Sequence, residues 1–306
     1  MYKRLLQRKL FVLTGPTCSG KSAIAQDLLE LEPSCVIINA DSKQVYRQLF
    51  LLTDRPSPCP RHVLYGHVSV FGSQAYSVVC WLKECIESLE LLWSVGKIPV
   101  VVGGTALYLH CLLNGISLLP PLCQKSVSYV KSKLKDLGRH SFLKAFGMSQ
   151  SFEGLDDHRF VRNASYLMQT GKTIDFLQRN SPKIKLQYQS ACVFAISPER
   201  TKVVSAIDGR FKDMLKNGAV EEVEKIIKNT KERIRPEVET IHGFREIKSY
   251  ILGNICLEQA AQIAQTKTRQ YAKRQMTWFR NKFDGIRIFE EKKSLLDQLL
   301  KEVRSL

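Results

Sequence analysis

What this sequence lacks narrows its class before anything it contains. Its nine cysteines, Cys18, Cys35, Cys59, Cys80, Cys85, Cys111, Cys123, Cys192 and Cys256, are odd in number, scattered, and include no C-x-x-C pair. A disulfide framework and a zinc site are thereby set aside, and a reducing compartment follows. Long apolar runs are missing too. Behind the basic stretch Met1 to Lys9, the run Leu10 to Leu13 is only four residues long, too short for a signal peptide core or a membrane span. The expectation is a cytoplasmic protein with no membrane partner. Acid is scarce: 29 Asp and Glu face 46 Lys and Arg, a net charge of +17. An excess of that size favours a polyanionic partner, nucleic acid first, through long-range attraction and counterion release.

What is present begins with a phosphate loop. Gly15, Pro16, Thr17, Cys18, Ser19, Gly20, Lys21 and Ser22 match G-x-x-x-x-G-K-[ST] at every fixed position. The motif needs a strand before it and a helix after it. Leu10 to Leu13 suits a buried strand, and Ala23, Ile24, Leu28 and Leu31 fall on one helical stripe. In such a loop backbone N–H groups point at an anion, Lys21 neutralises it, and Ser22 can ligate an accompanying Mg²⁺. The loop recognises a diphosphate or triphosphate and is silent on what is attached.

Further along, Cys35 to Ala40 reads as a second buried strand delivering Asp41 and Ser42 to a sheet edge, where ligand chemistry sits. Asp41 with Gln44 also has the form of a helix capping box, so a structural role stays open. Leu51 to Pro60 reads as loop, with Thr53, Asp54 and Arg55 exposed. A core-facing helix is expected from Ser77 to Trp93 and a strand from Ile98 to Val102, then a turn at Gly103, Gly104 and Thr105. Pro120 and Pro121 mark a change of texture. From there to Ser190 short helical patterns carry twelve Lys or Arg against five acids, a plausible clamp for an anion. Cys192 to Ile196 resumes a strand, and Val203, Ile207, Phe211 and Met214 share a helix face beside Arg210. The last long helix, Glu258 to Phe283, buries Ala264, Thr268, Ala272, Met276 and Phe279. On another of its faces Lys267, Tyr271, Arg274 and Trp278 alternate charge with rings, as phosphate contact plus base stacking requires; a helix contact with snorkelling cations fits equally. The fold expected is α/β: a P-loop NTPase-like parallel sheet flanked by helices, with an inserted all-helical subdomain. Residues 1–117 and 191–306 form the core, with basic C-terminal helices, and 118–190 the insertion.

Five stretches then carry a resemblance: Gly15 to Ser22, Asp41-Ser-Lys-Gln-Val-Tyr46, Ile98-Pro-Val-Val-Val-Gly-Gly-Thr-Ala-Leu-Tyr108, Gly243-Phe-Arg-Glu-Ile247 and Thr268-Arg-Gln-Tyr-Ala-Lys-Arg-Gln-Met-Thr-Trp-Phe-Arg280. In order and spacing they resemble the tRNA dimethylallyltransferase family over nearly the whole chain. The resemblance implies transfer of the dimethylallyl group from dimethylallyl diphosphate to N6 of adenosine 37 beside the anticodon, the base being flipped from its stack. The phosphate loop then holds a leaving diphosphate. Lys21, Mg²⁺ on Ser22, and Arg210 neutralise its oxygens, Thr105 hydrogen-bonds it, and Asp41 takes the amine proton. The same resemblance implies that Asp41, Ser42, Lys43 and Gln44 grip the target nucleotide. Arg159, Arg162, Arg245, Lys267 and Arg274 are expected on the tRNA anticodon stem-loop, the insertion helping to hold it, in a monomeric enzyme. Two departures stand out: Leu52-Thr-Asp-Arg-Pro56 replaces a Gly-Thr-Ala-Lys-Pro segment, adding Asp54, and the arginine-rich stretch of the insertion is reduced to Arg159-Phe-Val-Arg-Asn-Ala-Ser-Tyr166. A small-metabolite kinase, from the loop alone, and a non-catalytic RNA-binding relative remain as alternatives.

Overall fold

The computed structural model describes residues 8–148, 152–229, 231–283 and 285–306. Most of the basic stretch beginning at Met1, and Asp284, lie outside that set. The chain divides into a larger unit, up to Asn114 and from Leu186 onward, and a smaller one, Gly115–Lys185.

In the larger unit apolar, mostly β-branched runs become strands: β1 (Lys9–Thr14), β2 (Cys35–Asn39), β3 (His62–Val63), β4 (Ile98–Val102), and, past the smaller unit's short β5 (Ile116–Ser117) and β6 (Lys183–Ile184), β7 (Ser190–Ile196) and β8 (Arg287–Phe289). The six strands of the larger unit pair in parallel in the order β3-β2-β4-β1-β7-β8. The two edge strands escaped the sequence reading because two or three residues carry no periodicity. Helices connect the strands: α1 (Lys21–Leu31), α2 (Val78–Ser94) and α3 (Ala106–Asn114), then α7 (Arg200–Lys216), α8 (Ala219–Ile227), α9 (Phe244–Ile251), α10 (Leu257–Lys282) and α11 (Lys292–Arg304).

Because the sheet is covered on both faces, its central strands are apolar throughout. Phe11 and Leu13 pack with Ile24 and Leu28 of α1 and Leu295 and Leu299 of α11, while the alternate residues Leu10 and Val12 are buried on the other face. The stripe expected on α1 is rotated: Ile24, Ala25, Leu28 and Leu29 are its buried residues, and Leu31 is 49% exposed. The face that meets the sheet is two residues wide at each turn, wider than a single stripe. Ser77 caps α2, accepting from the Cys80 N–H. Trp81 donates its indole N–H to the Asn39 carbonyl at 2.7 Å and stacks on Tyr108 at 4.3 Å.

A second core lies beside the sheet. Val45, Tyr46, Leu49 and Leu52 pack with Phe211, Met214, Val223 and Phe244. The segment Leu51 to Pro60 is loop as expected, and Asp54 is exposed, but its start dips into that core: Leu52 is buried and Thr53 is only 9% exposed. Glu222 fixes the segment, accepting from the N–H groups of Phe50, Leu51 and Leu52 at 2.6, 2.9 and 2.9 Å. Arg55 donates to the carbonyls of Tyr46 and Arg47 instead of standing free.

In the smaller unit, α4 (Gln124–Ala145) is broken at Gly138, where φ is 72° and ψ 166°, and α5 (Asp157–Thr170) and α6 (Ile174–Asn180) follow. Val130, Phe142, Phe152 and Phe160 form its own core. β5 and β6 pair antiparallel at its two ends. Leu186 and Tyr188 belong to the larger unit, the Tyr188 hydroxyl donating to the Leu113 carbonyl at 3.1 Å. No helix among the described residues is long and apolar enough to cross a membrane.

Candidate active site

The turn after β1 is shaped by what its backbone must do. Gly15 adopts φ 147°, and a Cβ there would stand 2.3 Å from the Ile196 carbonyl oxygen. Cys18 is left-handed at φ 60° and Gly20 at φ 94°, after which α1 begins at Lys21. Its first-turn N–H groups have no helical partner and are available to an anion. Lys21 donates its ammonium to the Pro16 carbonyl at 2.6 Å. Burial pulls its pKa down to about 8, against the opposing pull of the Asp41 carboxylate. The Ser19 hydroxyl, on a residue 2% exposed, has no partner among the described residues.

Asp41 sits at the end of β2 and caps no helix. Asn39 holds it: the Asn39 Oδ1 accepts the Asp41 N–H at 2.8 Å, and its Nδ2 donates to the carbonyls of Asp41 and Leu64 at 3.0 Å each. Asp41 Oδ1 accepts the Lys43 N–H at 2.8 Å, an Asx turn in place of a capping box. Its Oδ2 has no protein partner among the described residues. From the turn after β4, the Thr105 hydroxyl accepts the Ser42 N–H at 2.9 Å and donates to the Ser42 hydroxyl at 3.3 Å. A Cβ on Gly103 would stand 2.2 Å from the Ala40 backbone, so glycine is what lets the two turns meet.

These turns enclose a cavity of about 400 Å³. Thr17, Cys18, Gly20, Lys21, Ser22, Asp41, Lys43, Gln44 and Arg210 line it, and Ser42 and Thr105 are not among its lining residues. Arg210, from α7, donates to Thr17 Oγ1 at 2.9 Å and to Asp54 Oδ2 at 3.2 Å. The far wall is apolar, with Leu52, Ile207, Phe211, Met214 and Ile241. The site thus offers buried cation and free amides at one end, a carboxylate at the side, and hydrocarbon at the other end.

The remaining expected contacts are spread out. Gln44 spends its amide on the carbonyls of Thr53 and Asp54 at 3.1 and 2.8 Å, and Lys43 donates to Thr240 at 2.8 Å. Lys267 pairs with the buried Glu246 at 2.6 Å and Arg245 with Glu239 at 3.6 Å. Arg274 lies 6.0 Å from the Tyr271 ring centroid, and Trp278 packs edge-on to His110. In the smaller unit Arg159 pairs with Asp156 at 3.4 Å, and Arg162 lies 5.8 Å from the Tyr166 ring.

Residues that sequence reasoning missed include Asn39, Tyr65, His242 and Gln275, whereas Tyr271 is expected from the sequence on a stacking face of the last helix. Tyr65, His242 and Tyr271 line the cavity. Burial, with Lys43 adding to it, lowers the His242 pKa to about 4, so the ring is neutral. Burial raises the phenol pKa of Tyr65 and Tyr271. On α10 the buried position is Gln275 and not the expected Met276. After Ala272 a helix can place either residue inward, and apolar preference selects the methionine; the glutamine is inward because both ends of its amide are satisfied.

A family model described as IPP transferase matches residues 44–282. The chain is 42% identical over 97% of its length to the tRNA dimethylallyltransferase of Neorickettsia sennetsu, covering 98% of that protein. It is 34% identical over 98% of its length to that of Anaplasma phagocytophilum, covering 96%. Among solved structures, a eukaryotic dimethylallyltransferase captured acting on tRNA matches with a TM-score of 0.70 and 26% identity, over 89% of this chain and 70% of that one. The tRNA isopentenylpyrophosphate transferase of Staphylococcus epidermidis shares the fold, with a TM-score of 0.67 over 98% of this chain and 99% of its own. With a phosphate cradle, a carboxylate and an apolar wall around one cavity, and with relatives of this name along almost its full length, the chain belongs to the tRNA dimethylallyltransferase family.

Proposed function

We propose that the chain transfers the dimethylallyl group of dimethylallyl diphosphate to N6 of adenosine 37 in tRNA, releasing diphosphate. The observation that carries this reading is the cavity itself, in which the amides and ammonium of the phosphate loop, Asp41 and the apolar wall of Leu52, Phe211 and Met214 converge. The diphosphate lies against the first turn of α1, with Lys21 and Arg210 neutralising it. The prenyl chain takes the apolar wall, which also excludes water from an electrophilic allylic carbon. The adenine enters flipped from its stack. Its N6 attacks the allylic carbon, the carbon–oxygen bond breaks with its electron pair leaving on diphosphate, and the amine proton passes to Asp41.

The residues present also fit Mg²⁺. The Ser22 hydroxyl and the Asp54 carboxylate line the same cavity, oxygen donors of the kind this ion takes alongside substrate phosphates. When bound, it supplies charge neutralisation to the departing diphosphate. The test is incubation of the full chain with an anticodon stem-loop RNA and dimethylallyl diphosphate, followed by mass spectrometry of the released nucleosides. One dimethylallyl substituent on adenosine is expected. RNA that binds but stays unmodified would overturn the reading.

A further inference from the structure

We propose that Gln275 is a positioning residue that locks the diphosphate cradle to the glycine turn after β4, an inference that rests on the diphosphate reading above. Its side chain is 3% exposed. Oε1 accepts the Thr17 N–H at 2.9 Å and Nε2 donates to the Gly104 carbonyl at 2.6 Å. One amide therefore spans two loops that follow different strands: the strand ends are already tied by the Thr14 hydroxyl donating to the Gly103 carbonyl at 2.8 Å and by the Gly103 N–H donating to the Leu13 carbonyl at 3.1 Å, and Gln275 extends that tie into the cradle at Thr17. An amide suits this, since one loop presents a donor and the other an acceptor. Gly104 is shaped to receive it: a Cβ there would stand 2.4 Å from Nε2. One turn earlier on the same helix face, Tyr271 lines the cavity.

α10 does not need this amide to stay in place. Ala264 is packed in the second core, Ala272 is packed against Val203 and Ile207, and Phe279 is fully buried. The contribution of Gln275 is to the register of Thr17, hence of Lys21 four residues on and of Arg210, which donates to the Thr17 hydroxyl. Helix α10, with its exposed Lys273, Arg274 and Arg280, thus hydrogen-bonds the cradle through Gln275.

The test compares Gln275→Met, which keeps the volume and removes both hydrogen bonds, with Gln275→Glu, which keeps the acceptor and loses the donor. Calorimetric titration of the full chain with Mg²⁺-pyrophosphate is expected to show affinity reduced about 10- to 100-fold in Gln275→Met. The KM for dimethylallyl diphosphate should rise in step, while the KM for the stem-loop RNA stays within about twofold. If the Met variant does not fold, the Glu variant carries the measurement, with at least the same loss because it adds a negative charge beside the anion. Unchanged pyrophosphate affinity would overturn the inference. So would a fall in melting temperature with both KM values rising together, which is the signature of a merely structural residue. Wild-type protein that binds no pyrophosphate would overturn the diphosphate reading and this inference together.

Discussion

The pKa of Lys21 makes the affinity for the diphosphate donor depend on pH in a calculable way. Burial lowers it to about 8, so the ammonium is roughly nine-tenths charged at pH 7 and roughly one-tenth charged at pH 9. A diphosphate bound against it favours the charged form and pulls the pKa back up. If only the charged form binds well, the KM for dimethylallyl diphosphate should rise about tenfold between pH 7 and pH 9. At saturation kcat should change far less, because the bound state is already protonated. Free-enzyme stability should move the opposite way. The folded pKa lies below the unfolded 10.5, so between pH 8 and 10.5 the unfolded chain holds more protons, and stability rises with pH across that window. The full span is worth about 3 kcal/mol. The assay is initial-rate kinetics at fixed, saturating RNA in overlapping buffers, with Lys21→Arg as control. A guanidinium stays charged throughout, and its KM profile should be flat. A flat profile in the wild type, or an equal rise in Lys21→Arg, would refute the argument.

Asp41→Asn keeps the shape of the turn and removes the proton acceptor, so turnover should fall about 10²- to 10⁴-fold while RNA affinity stays within a few-fold; undiminished turnover in single-turnover assays would take the role away from Asp41. Glu222→Ala leaves the N–H groups of Phe50, Leu51 and Leu52 without their acceptor. Urea unfolding should report a loss of about 2 to 4 kcal/mol, and because the segment carries Leu52, Thr53 and Asp54 of the cavity wall, the KM for the donor should rise more than that for RNA.

The sheet and the cradle were legible because each depends on residue type at fixed spacing. A phosphate loop needs its glycines for backbone approach and its lysine for charge, and no other arrangement of Gly15 to Ser22 would serve. Asp41 was legible as a carboxylate at a strand end, but whether it capped a helix or faced a cavity was decided by Asn39, whose amide turns the chain at that point. The second core was not legible. Val45, Leu49 and Leu52 stand at i, i+4 and i+7 yet form no helix, and they acquire an inside only when Phe211, Met214 and Phe244 arrive from about 160 to 200 residues later. Gln275 was hidden for a related reason: a glutamine on a buried stripe looks like an error until its two backbone partners are in view.

Charge was the hardest property to read, and the reason bears on how RNA would be held. A sequence counts Lys267 as a free cation on a basic helix, yet it neutralises Glu246, whose other oxygen accepts the Gly243 N–H at 2.9 Å and holds the start of α9. Arg210 and Arg269 are likewise engaged, with Asp54 and Asp208. Each such pair removes one positive charge from the field an approaching polyanion meets, without changing the net charge of +17. Lys273, Arg274 and Arg280, exposed on α10 and without a carboxylate partner among the described residues, are therefore better placed than Lys267 to contact phosphate. Neutralising them should reduce the salt dependence of RNA binding by about one counterion each, whereas Lys267→Ala should leave that slope unchanged and instead destabilise the fold by exposing the buried Glu246 carboxylate to an unpaired state.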